Sequence, residues 1–95
     1  MAELLTDSER ETALDSLDGW YDSAGTSISK KFKFRTFTEA FAFMVKIATI
    51  ADKMNHHPDW TNIYNKVDVT LSTHDKGGVT KLDIDLAGEM DKAAS

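Results

Sequence analysis

Apolar and polar positions change rhythm along this chain, and each change marks an element. Thr6-Asp7-Ser8-Glu9 sets a hydroxyl three residues before a Glu, the capping-box pattern that opens a helix. That helix is expected to run to about Leu17, with Ala13, Leu14 and Leu17 inward and Asp18-Gly19 ending it. Trp20-Tyr21 begins a short strand, and Ala24-Gly25 marks a turn. From Ser27 to Phe34 the period becomes two. Ile28, Phe32 and Phe34 share one face; Ser27, Ser29, Lys31 and Lys33 share the other. Lys30 breaks the apolar face near its start, as a strand at a sheet edge allows. The two strands read as a hairpin.

Thr36-Phe37-Thr38-Glu39 is a second capping pattern, and the helix after it should reach Met54 or Asn55. Proline disfavours helical geometry in the residue before it, so the helix must stop around Asn55–His57, ahead of Pro58. This helix is apolar over more than one face. At about 100° per residue, Phe37, Ala40, Phe41, Met44, Ala48 and Ala51 form one stripe, assigned to the core. Phe43, Ile47, Ile50 and Met54 form a second stripe beside it. A helix lying on one sheet needs a stripe only ~100° wide, so the second stripe predicts a contact between copies of the chain, with a deeply buried helix as the alternative. Trp60–Tyr64 reads as a third strand, Asn65-Lys66 as a turn and Val67–Thr73 as a fourth strand. Asp75-Lys76-Gly77-Gly78 is a loop. Thr80 caps a last helix with Asp83 three residues on, and Leu82, Leu86 and Met90 recur along one side of it, with Ile84, Ala87 and Ala94 near them. The order α-β-β-α-β-β-α predicts an α+β fold, a four-stranded antiparallel sheet covered on one face by helices. One domain is expected over residues 1–95.

Composition removes several function classes. A net charge of −5 argues against direct nucleic-acid binding. The basic group Lys30, Lys31, Lys33 and Arg35 reads as a solvated strand face rather than a phosphate site. With no cysteine, the chain has no disulfide, no thiol chemistry and no Cys-based zinc site. No apolar run approaches the ~20 residues of a membrane span. Met1-Ala2-Glu3-Leu4-Leu5 is acidic and too short for a signal peptide. A cytoplasmic protein is expected.

The remaining chemistry lies between Asp52 and His74. That stretch holds all three histidines, the single proline and one of two tryptophans. His56-His57 falls at a helix end and His74 at a strand end, so the fold should bring three imidazoles together. Imidazole, with an unperturbed pKa of about 6.5, gives or takes a proton near neutrality. One histidine alone would read as structural; three amid polar residues point to acid/base work. Neighbouring histidines usually point different ways, and zinc-binding helices space theirs apart. No metal site is expected.

His56-His57-Pro58-Asp59-Trp60, then Asn62-Ile63-Tyr64-Asn65-Lys66-Val67, then Ser72-Thr73-His74, resembles the signature of the pterin-4a-carbinolamine dehydratases. The resemblance extends through Phe32–Phe43 upstream and Asp83–Ala87 downstream, and so covers most of the chain. It implies a lyase that removes water from 4a-hydroxytetrahydrobiopterin to give quinonoid dihydrobiopterin, in tetrahydrobiopterin recycling. The pterin is then the substrate, and no cofactor is needed. By that resemblance His56, His57 and His74 are catalytic, and Asp52 is the acid one turn before the His pair, an Asp where the family often has Glu. Asp52 accepts from pterin N–H groups or orients a histidine. Asn55, Trp60, Ser72, Thr73 and Asp83 are further candidates for substrate binding. For Asp83 a plain helix-cap role competes, and for Trp60 a core role. The resemblance also implies a homotetramer built as a pair of dimers, here through helix 36–55. Some members of that family serve as dimerisation cofactors of a homeodomain transcription factor. That sets a protein-binding module, with a nuclear pool, beside the enzyme as the alternative.

Overall fold

A computed structural model describes residues 2–95; Met1, the start of the expected N-terminal segment, lies outside the described residues. The elements are α1 (Asp7–Asp15), β1 (Tyr21–Ser23), β2 (Ser27–Lys33), α2 (Phe37–Met54), β3 (Asp59–Ile63), β4 (Lys66–Leu71), a 3-10 turn (His74–Lys76) and α3 (Lys81–Ala94). This is the expected α-β-β-α-β-β-α order. The four strands make one antiparallel sheet in the order β1-β2-β4-β3. Among the described residues no helix is long and apolar enough to cross a membrane.

Local chemistry explains each boundary. Thr6 accepts from the Glu9 amide while Glu9 reaches back to the Thr6 amide, so α1 opens on a complete capping box. Ser16 caps its other end, slightly before the expected Leu17. Ala24 and Gly25 both hold positive φ, 58° and 77°, as the mirror-image turn of a tight hairpin requires. Thr36 caps α2, but the Glu39 carboxylate passes over the Thr36 amide and binds the Arg35 amide and guanidinium instead. The second capping box is therefore only half formed. The β3–β4 turn centres on Tyr64 and Asn65, one residue earlier than expected. Tyr64 is left-handed there, and Asn65 donates its side-chain amide to the Phe34 carbonyl at 2.7 Å.

Two expectations fail, each for a physical reason. β2 is an interior strand, paired with both β1 and β4. Lys30 is accommodated there by reach: its stem lies over the Phe32 ring, with Nζ 4.7 Å from the centroid, and Nζ binds Asp91 at 2.8 Å and the Asp18 carbonyl. Trp20 donates to the same Asp91 carboxylate at 3.0 Å. The stripes of α2 are also exchanged. Phe43 and Ile47 are buried and Ile50 and Met54 half-buried against the core, while Phe37, Phe41 and Val45 stand about half exposed at 48%, 54% and 53%. Of the expected core stripe, Ala40 and Ala51, at the seam between the stripes, are buried, and Met44 is half-buried against the core. Phe32, Phe34 and Phe43 form one aromatic cluster with ring centroids 4.9–6.3 Å apart, and this cluster draws the Phe43–Ile47 side of the helix onto the sheet. On α3 the buried stripe is Asp83, Leu86, Ala87 and Met90, with Leu82 only half-buried.

Ile47 is completely buried, so Ile47→Ala is expected to cost about 2–5 kcal/mol of stability in urea unfolding. A change within about 0.5 kcal/mol, the range of ordinary surface substitutions, would put Ile47 outside the core.

Candidate active site

The end of α2 decides where the histidines go. Asn55 caps the helix in the left-handed conformation, φ 53° and ψ 43°, and Pro58 keeps the next segment extended. Successive side chains of an extended segment point to opposite sides. His56 accordingly turns inward and is buried, and His57 turns outward and is exposed. His74 opens the 3-10 turn after β4 and is also exposed.

Each histidine meets its own carboxylate, in every case through Nε2. His56 lies 2.6 Å from Asp83, His57 lies 2.9 Å from Asp52, and His74 lies 3.2 Å from Asp59. The His74–Asp59 pair ties the turn after β4 to the first residue of β3. The His56–Asp83 pair differs from the others in burial, since Asp83 is wholly removed from solvent. Its second carboxylate oxygen accepts the Thr73 hydroxyl and the Thr80 amide, both at 2.9 Å. Thr80 is the N-cap of α3, so Asp83 caps this helix and holds a histidine at the same time.

His56 forms one wall of a cleft of about 460 Å³ with Met54, Asn55, Thr73, Asp75, Lys76 and Leu82. Ala2 closes one side of it. The Leu4–Leu5 segment runs against the 73–80 loop there, with the Leu5 amide bound to the Val79 carbonyl at 2.9 Å. Among the described residues no buried side-chain nitrogen or oxygen lacks a partner, and His56 Nδ1 has no protein hydrogen bond. Nδ1 therefore keeps some exposure to solvent, and His56 lines this cleft. A larger hollow of about 540 Å³ lies between α2 and α3, but no histidine lines it. Among the described residues no three side chains of metal-ligating type gather closely enough to hold an ion.

Of the residues singled out from sequence, the cleft takes His56, Asn55 and Thr73. His57 with Asp52, and His74 with Asp59, flank it as exposed pairs. Asp52, itself exposed, meets the His57 ring. Trp60 sits half-buried against the core, on the helix-covered face of the sheet. Ser72 gives its hydroxyl to the Thr26 carbonyl at 3.0 Å. Asp59, Asp75 and Lys76 are not singled out by sequence reasoning. For Asp59 the available signal is its register, which starts β3 opposite Thr70, near the end of β4 that leads to His74.

A family model described as Pterin 4 alpha carbinolamine dehydratase matches residues 3–93. A relative from Rhizobium johnstonii, provisionally named a pterin-4-alpha-carbinolamine dehydratase, is 57% identical over 86 residues, spanning 90% of this chain and 85% of the relative. One of the same provisional name from a Bradyrhizobium species is 51% identical and spans 100% of this chain and 97% of its own. A crystal structure from Brucella melitensis, titled a transcriptional coactivator/pterin dehydratase, superposes with a TM-score of 0.95 at 49% identity, covering 98% of this chain and 100% of that one. A pterin dehydratase-like protein described as a RuBisCO assembly factor in the alpha-carboxysome shares the fold, with a TM-score of 0.69 at 20% identity.

The two kinds of His–Asp pair should respond differently to loss of the carboxylate. Asp83→Ala strands His56, the Thr73 hydroxyl and the Thr80 amide in the interior and is expected to cost about 3–5 kcal/mol. Asp52→Ala opens an exposed pair and is expected to cost at most about 1 kcal/mol. Equal losses in chemical denaturation would contradict the burial difference.

Proposed function

Because the chain belongs to the pterin-4a-carbinolamine dehydratase family, we propose that it dehydrates 4a-hydroxytetrahydrobiopterin to quinonoid dihydrobiopterin, as a step in tetrahydrobiopterin recycling. The observation that supports this most directly is His56, whose Nδ1 has no hydrogen-bond partner among the described residues and which lines a cleft of a size suited to a small planar ligand. In the substrate a hydroxyl sits on C4a beside N5–H. Dehydration breaks the C4a–O bond, forms the C4a=N5 bond and moves two protons: one reaches the departing oxygen and one leaves N5. An imidazolium supplies the first and a neutral imidazole takes the second, so no other reagent enters the balance. Positioned acid/base groups of this kind contribute typically ~10²–10⁴-fold.

His56 and His57 carry these transfers, and His74 supports them from the rim. The three carboxylates serve the histidines: Asp83, Asp52 and Asp59 each fix one ring by its Nε2 edge. Asn55 and the Thr73 backbone border the pterin, and Asp75 and Lys76 offer an acceptor and a cation to its polar edge. Stopped-flow decay of the 4a-carbinolamine, with and without the protein, tests the activity. His56→Ala and His57→Ala should each lower the rate about 10²-fold or more, and the folded double variant should approach the spontaneous rate. A folded, fully active double variant would refute the assignment. Full activity after exhaustive chelation is expected as well; loss that added zinc restores would replace this chemistry with a metal's.

A homo-oligomer is part of the same reading, through the outer stripe of α2. Phe37 and Phe41, with rings 6.0 Å apart, continue into Val45 and Ala48 as an exposed apolar band. Burying one such large side chain is worth roughly 1.5–3 kcal/mol, and symmetry repeats the gain on each subunit. A tetramer is the expected assembly, and the same band would serve a protein partner in the alternative, binding role. Phe41→Asp should reduce the sedimenting size, whereas unmodified protein that sediments as a compact monomer at micromolar concentration would sink this assembly.

A further inference from the structure

Thr73 borders the cleft, but its hydroxyl is committed elsewhere. It stands 2.7 Å from the Thr80 hydroxyl and 2.9 Å from Asp83 Oδ2. Thr80 and Asp83 are fully buried, and Thr73 and His56 nearly so. We propose that Thr73, backed by Thr80, is a positioning residue that fixes the tautomer of His56 and so keeps Nδ1 as the nitrogen facing substrate.

The direction of each proton follows from the bonds around it. An ionised carboxylate only accepts, and Asp83 Oδ2 already takes the Thr80 amide proton at 2.9 Å. The Thr73 hydroxyl must then donate to that oxygen. Having given up its only proton, Thr73 can only accept from Thr80. The Thr80 hydroxyl oxygen receives the Leu82 amide at 3.2 Å, which leaves its own proton for Thr73. The order is therefore Thr80 to Thr73 to Asp83 Oδ2, with two donors holding Asp83 as an anion. An anion at Oδ1, 2.6 Å from the ring, requires a proton on His56 Nε2. The neutral ring then has its lone pair on Nδ1, the nitrogen without a partner among the described residues. Without the Thr73 hydroxyl, Asp83 keeps one donor at Oδ2, and its carboxylate can take up one proton from water. His56 would then accept at Nε2 and carry its proton on Nδ1, the wrong arrangement for a base in the cleft.

The proposal extends the dehydratase reading, but its first readout does not depend on activity. Nitrogen-15 NMR of the intact protein, at a pH where His56 is neutral, reports which ring nitrogen bears hydrogen. The wild type and Thr73→Ser should have Nε2–H at His56, and Thr73→Val should show a substantial Nδ1–H population. In the carbinolamine assay Thr73→Val should lose about tenfold or more in kcat, with KM nearly unchanged and Thr73→Ser restoring the rate. Where Thr73→Val does not fold, Thr73→Ala removes the same hydroxyl with less bulk and takes its place. A hydroxyl-free, folded variant that keeps Nε2–H and full kcat would overturn the relay. So would a raised KM at constant kcat, which would make Thr73 a simple substrate contact. A wild type inert toward the carbinolamine, with its tautomer still governed by Thr73, would support the relay and defeat the dehydratase reading.

Discussion

A carboxylate fully removed from water organises this molecule. Taking an ion out of solvent costs several kcal/mol, and only complete hydrogen bonding offsets it. Asp83 meets that demand with three groups from three places: His56 beyond the end of α2, Thr73 beyond the end of β4, and the Thr80 amide at the head of α3. None of the three segments can shift without stranding the charge. The same bonds place Thr73 and His56 on adjoining walls of one cleft. Stability and site geometry thus rest on one interaction, and the start of α3 is fixed by the group that orients the candidate catalytic ring.

The junction after α2 divides the two neighbouring histidines by simple geometry. A left-handed Asn55 stops the helix, and the extended segment before Pro58 sends consecutive side chains opposite ways. One imidazole is thereby sealed against a buried carboxylate, and the next stands in water with an exposed one. Two identical groups in unlike surroundings are suited to unlike tasks. A reaction that must both give and take a proton needs that inequality, and the helix end creates it without any change in residue type.

Much of this architecture is legible in the order of the residues. The Thr6–Glu9 box, the period-two runs and the Pro58 stop depend on neighbours close in sequence, and they set the elements and the sheet. What sequence reasoning misses depends on distant partners. The two stripes of α2 differ by a rotation that helical periodicity cannot resolve, because both are apolar and alanines line the seam. Phe32 on β2 and Phe34 just beyond it decide it by seating Phe43. Lys30 resembles an edge residue because its partner Asp91 lies far along the chain, near the end of α3. Asp83 reads as a cap, which it is, yet a carboxylate has two oxygens and local spacing accounts for only one. The candidate histidines can be found from sequence; which nitrogen each presents cannot.

The orientation of α2 also separates two kinds of surface on one small chain. Its Phe43–Ile47 side and the two seam alanines are buried within the chain, and its C-terminal end sets the histidines. The Phe37–Phe41–Val45 band faces away from both. A partner that needed Phe43 and Ile47 would have to draw them out of the core, and assembly would cost folding stability. As they stand, a partner or a second copy can cover the outer band while the sheet contact and the Asp83 network stay intact. One rigid helix therefore separates the surface available for association from the residues available for chemistry.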